Sequence, residues 1–150
     1  MYVNESLGLG YIAHMRTAST PTRLALAERG FEPVGEPHGI PEDDMGLCWF
    51  GTIREPVEHM LSLRRLSDWE SPESTFTPEE VDRVIEEWGH PRAGFIAMDC
   101  TPLRFECLED DLSALLGEPI TLHQARPLWP HDLQAVPQGT AEHIREVMAL

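Results

Sequence analysis

The sequence contains no lysine: all eleven basic residues are arginine, set against 26 acidic residues, for a formal net charge of −15. This absence excludes the lysine of an ordinary ATP-binding P-loop and any Schiff-base mechanism. The acid excess repels nucleic acid and anionic membrane, so neither is expected as a partner. An anionic cofactor would need a local cluster of donors. Cysteine is scarce: Cys48, Cys100 and Cys107 are odd in number and form no C-x-x-C, which argues against a disulfide framework and a zinc knuckle. Cys48 lies in an apolar run and is expected as a buried thiol. No apolar run approaches membrane-spanning length, and no basic segment leads into a long apolar stretch at the start, so no signal peptide is expected. These absences point to a soluble protein in a reducing, cytoplasmic setting.

What is present suits one globular domain over residues 1–150, with 41% hydrophobic residues and thirteen prolines that keep elements short. Residues 9–15 form a short apolar run expected as a strand. A small-residue loop, 16–21, leads to a helix over 22–29, with Thr20 as N-cap, Pro21 at its start and Gly30 at its end. Strands are expected at 31–34, 47–53, 94–98, 103–106 and 120–122. The run at 47–53 is continuously apolar, as in a strand covered on both faces. Helices are expected at 56–66, 78–88, 108–116 and 140–150. This alternation implies an α/β fold with a mainly parallel sheet flanked by helices.

Two segments carry candidate chemistry. The loop Arg16-Thr17-Ala18-Ser19-Thr20 lies between a strand and a helix, where backbone N–H groups and the helix dipole favour an anion. Its hydroxyls and the Arg16 fork add donors suited to phosphate oxygens. The second segment follows the strongest strand: Arg54 stands at the strand's carboxyl end, and Ser62 lies about two turns along the next helix. Ligands of open α/β sheets bind outside the carboxyl ends of the strands. Glu106, Glu109, Asp110 and Asp111 read as an acid-rich helix start rather than a metal site, so no metal is expected. His14 is expected as a core or rim histidine with satisfied nitrogens, and His59 as a solvated or capping residue. Trp69 and Trp129 are candidates for a partner surface; the oligomeric state is not legible.

These segments together resemble the PAPS-dependent sulfotransferases, in particular small prokaryotic or phage-type members (PAPS is 3′-phosphoadenosine-5′-phosphosulfate). Arg16 to Thr20 is similar to the family's loop for the 5′-phosphosulfate, with Ala18 in place of the usual glycine and Arg16 in place of the commoner lysine. Arg54, Pro56 and Ser62 are similar to its Arg-x-Pro-x-x-x-x-x-Ser motif for the 3′-phosphate. Leu103 to Gly117 is similar to a third family stretch, and the segment from His123 onward is loosely similar to the family's tail. The resemblance implies a three-layer, P-loop-NTPase-like fold and sulfuryl transfer from PAPS, with PAP as product, to a small-molecule or glycan-type acceptor. It implies His38 as catalytic base, with Glu36 as its rival, and Arg16 beside the leaving group. A non-catalytic relative that kept the nucleotide site is the alternative.

Overall fold

The computed structural model describes residues 1–66, 75–123 and 136–149. The elements run β1 (Tyr2–Asn4), β2 (Leu9–Ile12), α1 (Ser19–Ala27), β3 (Glu32–Pro33), β4 (Cys48–Ile53), α2 (Pro56–Arg64), α3 (Pro78–Trp88), α4 (Ala93–Ala97), β5 (Cys100–Arg104), a 3₁₀ turn (Phe105–Cys107), α5 (Leu108–Leu116) and α6 (Gln138–Val147). The fold is α/β, and the five strands form one sheet in the order β3-β1-β2-β4-β5.

The sheet is mixed, which corrects the mainly parallel expectation. β2, β4 and β5 are parallel, whereas β1 pairs antiparallel with both β2 and β3. The cause is β1 itself: a three-residue strand followed by a short turn at 5–8 folds straight back onto β2, and so tight a return allows only antiparallel pairing. Gly10 sits in β2 where the Trp49 indole of β4 crosses it; a Cβ there would lie 2.4 Å from the ring. At the opposite edge, β5 carries Pro102, whose missing N–H is harmless on an edge strand.

Other boundaries also differ. Residues 94–98 form α4 rather than a strand. Residues 120–122 take no strand, although Ile120 and Leu122 are buried in the core. β5 begins at Cys100 and ends before the 3₁₀ turn that replaces the end of the strand expected at 103–106. α1 begins at Ser19, with Ala18 as N-cap in place of Thr20. Cys48, the first residue of β4, is exposed rather than buried. Trp69 and Trp129 lie outside the described residues, as do residues 124–135 of the tail after His123.

One core cluster gathers Tyr11 and Phe50 of the sheet with Leu26 of α1 and Leu112 of α5. A second joins Met60 of α2 and Val84 of α3 to Ile144 of α6. Among the described residues no helix is long and apolar enough to cross a membrane. The neighbours β2 and β4 run parallel, so the chain leaves both at the same end of the sheet. That end holds the site.

Candidate functional site

Beyond Ile12 the chain leaves β2 and turns into α1 through residues 13–18. Arg16 has φ 60° and Ala18 φ 55°, with Thr17 between them on the negative side. Alternation of this kind, next to a helix start, arranges N–H groups into an anion-binding concavity. None of the N–H groups of residues 16–20 donates to an acceptor among the described residues.

The carbonyls of Ala13, His14, Met15, Arg16 and Ala18 in the same segment are engaged. His38 Nδ1 meets the Ala13 oxygen. Thr17 Oγ1 donates to the His14 oxygen at 2.8 Å, and His59 Nε2 donates to the Met15 oxygen at 2.8 Å. Arg54 Nη1 donates to the Arg16 oxygen at 3.3 Å. The Ala18 oxygen accepts from Thr22 Oγ1 at 2.9 Å.

The second segment comes to the same place. β4 delivers Arg54, and α2 starts at once because Glu55 caps it, accepting from the Glu58 N–H at 2.9 Å, with Pro56 as its first residue. Arg54 is buried. Its guanidinium lies 4.4 Å from the centre of the Phe105 ring and 3.4 Å from Glu58 Oε2. Burial lowers its pKa and Glu58 opposes that; a guanidinium remains charged. Ser62, on α2, accepts from Arg16 Nε at 2.9 Å. Arg16, Arg54 and Ser62, up to 46 residues apart in the chain, thus form one connected group. Within the loop the Thr17 hydroxyl is fully buried on the His14 carbonyl, Ser19 is buried, and Thr20 is exposed and accepts from Arg23 Nη2 at 3.2 Å.

Beside this group lies a pocket of about 150 Å³ lined by His14, His38, His59 and His90, with apolar walls that include Ile12, Met15, Leu63 and Trp88. His38 enters it from the loop after β3. A carbonyl only accepts, so the contact with Ala13 places the proton of neutral His38 on Nδ1 and leaves Nε2 as the basic atom. Glu36 is exposed and does not line the pocket; its carbonyl accepts from the N-terminal amine at 2.9 Å.

Two histidines depart from expectation. His14 is buried, yet neither ring nitrogen has a hydrogen-bond partner among the described residues. Its ring stacks on Phe95 at 4.7 Å, and Gly94 makes room for it, since a Cβ there would lie 2.6 Å from Nε2. Burial, aided by His59 and His38, pushes its pKa down to about 4. His59 is buried rather than solvated; burial brings it to about 4 as well, against the Met15 carbonyl that favours its charged form. His90 is held structurally, donating from Nε2 to the Val147 oxygen and accepting at Nδ1 from the Arg92 N–H. No group of three or more His, Cys, Asp or Glu among the described residues is arranged to hold a metal ion. The acids that open α5 are Glu109, Asp110 and Asp111; Asp111 pairs with Arg104 at 2.7 Å, and Glu109 accepts from the Leu122 N–H.

Sequence reasoning missed His59 and Phe105 as parts of this site. The position of His59 five residues after Arg54, one helical turn from Ser62, was the available signal. No family model, curated protein or solved structure matches the chain.

Proposed function

We propose that the protein is a PAPS-dependent sulfotransferase, moving a sulfuryl group from PAPS to a hydroxyl or amine of a small acceptor. One observation carries the reading: the two loops that resemble the family's phosphate-binding motifs meet, through Arg16 Nε on Ser62 and Arg54 Nη1 on the Arg16 carbonyl. The donor set suits a bisphosphorylated nucleoside, with N–H groups and a cation on one side and a buried guanidinium with a hydroxyl on the other.

In this reading the loop 16–20 takes the 5′-phosphosulfate, and Arg54 with Ser62 takes the 3′-phosphate. The acceptor enters the histidine-lined pocket, whose volume of about 150 Å³ suits one ring-sized group. The acceptor oxygen or nitrogen attacks sulfur as the bond from sulfur to the bridging oxygen breaks. Its proton passes to Nε2 of His38, and PAP leaves with its charge balanced by Arg16. Because the basic nitrogen of His38 lies free of its backbone contact, His38 is preferred to Glu36 as base. Three free thiols agree with a reducing compartment, as proposed for the cytoplasm. The second reading, a non-catalytic nucleotide-binding relative, draws on the left-handed Ala18 at a position where glycine is the ordinary choice.

Calorimetric titration tests the proposal. PAP is expected to bind. Arg54→Ala is expected to weaken PAP by about tenfold more than it weakens adenosine 5′-phosphosulfate, the effect of a charged hydrogen bond to the 3′-phosphate lost on top of its contact with the loop. Equal losses for both ligands would remove Arg54 from the 3′-phosphate. No turnover of PAPS with any acceptor, beside intact PAP binding, would favour the second reading.

A further inference from the structure

We propose that His59 is a positioning residue that aims the N–H groups of the loop at an oxyanion. The inference rests on the reading of this loop as the 5′-phosphosulfate site, and it concerns how the loop acquires its shape.

Four consecutive carbonyls, those of Ala13, His14, Met15 and Arg16, each take a hydrogen bond from a side chain. The donors come from different places: His38 from the loop after β3, Thr17 from the turn itself, His59 from α2, and Arg54 from the link between β4 and α2. A trans peptide unit is planar, and its C=O and N–H point in opposite directions. There is no cis peptide bond in this chain among the described residues. Fixing a carbonyl therefore fixes the N–H of the next residue on the other side. His59, holding the Met15 carbonyl, sets the N–H of Arg16. Arg54, holding the Arg16 carbonyl, sets the N–H of Thr17. Both N–H groups lack an acceptor among the described residues.

The arrangement answers two physical needs. A carbonyl turned into the concavity would repel an anion; each of the four is tied to a donor instead. Arg16 also sits at positive φ, where a residue with a Cβ is strained, so the turn needs outside contacts to hold it. His59 suits the task because it is buried, with 2% of its surface exposed, and α2 fixes where its ring can reach. It touches no ligand in this scheme; it acts through the backbone.

The test compares His59→Phe, which keeps a ring and loses the donor, with His59→Gln, whose amide nitrogen reaches for the same carbonyl. Two readouts apply: amide hydrogen exchange at residues 16 and 17 without ligand, and calorimetric affinity for adenosine 5′-phosphosulfate and for adenosine 3′-monophosphate. Loss of one buried hydrogen bond is expected to speed exchange and weaken the 5′ ligand by about tenfold in His59→Phe. His59→Gln is expected to restore both, and the 3′ ligand is expected to bind alike in all three proteins. Unchanged exchange in His59→Phe, or a His59→Gln as impaired as His59→Phe, overturns the role. If His59→Phe does not fold, His59→Gln and the wild-type protein decide: the His59 Nε2 proton must appear as a protected imidazole resonance, and its absence overturns the proposal. A wild-type protein that binds neither nucleotide sinks the sulfotransferase reading, while the exchange comparison still judges the clamp.

Discussion

Ala18 shows what one methyl group decides. It caps α1 in the left-handed region, at φ 55° and ψ 31°, and its carbonyl accepts from both Thr22 Oγ1 and the Thr22 N–H. Glycine occupies this conformation without the Cβ penalty. Ala18→Gly is therefore expected to stabilise the protein by up to about 1 kcal/mol, less the greater freedom of glycine in the unfolded chain. A urea midpoint that moves up, with an unchanged slope, is the supporting result; a clear fall would show that residue 18 is not strained. The sequence made an alanine in a strand-to-helix turn visible at once. It did not show that this residue, rather than Thr20, ends the loop. Thr20 has the side chain of a cap, but the helix begins before it because Thr22 closes on Ala18.

At the level of elements, α2 is the most informative. Both ends of the site hang on it, since Ser62 and His59 project from it and Arg54 precedes it directly. Its start depends on Glu55, whose carboxylate accepts from the Glu58 N–H. Glu55→Ala is expected to cost about 1 kcal/mol, the usual effect of a lost side-chain cap, seen as a lower melting temperature. No change in melting temperature would mean that Pro56 and packing fix the helix start alone. Val57, Met60 and Leu63 made α2 legible in advance through their spacing, and they are the residues buried in the second core. α4 was not legible. Gly94 to Met98 is a short apolar run, and such a run fits a buried strand as well as a helix. What settles it is the His14 ring, which lies against Gly94 and stacks on Phe95. β1 escaped notice for a related reason: at three residues it carries no period of its own, and only its pairing with β2 and β3 makes it a strand.

The whole molecule should respond to acid through its buried histidines. His14 and His59 have pKa values near 4 in the folded protein, against an ordinary 6.5. Between these values the unfolded chain holds more protons than the folded one, so stability falls as pH drops. The contribution is fully present above about 6.5, declines through the window, and is lost below about 4, at up to about 3 kcal/mol for each ring. Unfolding free energy measured from pH 7 to pH 4 is expected to fall with a slope approaching two protons. In His59→Gln the slope should drop towards one. A flat profile over this window would show that the rings are not held neutral by burial.

The chain by itself determined the broad class and the chemistry available. Alternating apolar runs fixed an α/β arrangement, and the lack of lysine left arginine as the permanently charged basic side chain. The loop 16–20 and the pair Arg54 and Ser62 were marked by residue type and spacing, which are local properties. Only the tertiary structure decided that β1 folds back to make the sheet mixed, that 94–98 is helical, that Cys48 is exposed, that His59 lies inside, and that the His14 ring nitrogens have no partner among the described residues. It also decided that Arg16, Arg54 and Ser62 touch. The reason is one of distance: propensity and periodicity act over a few residues, whereas burial and hydrogen-bond pairing depend on which segments the sheet order brings side by side.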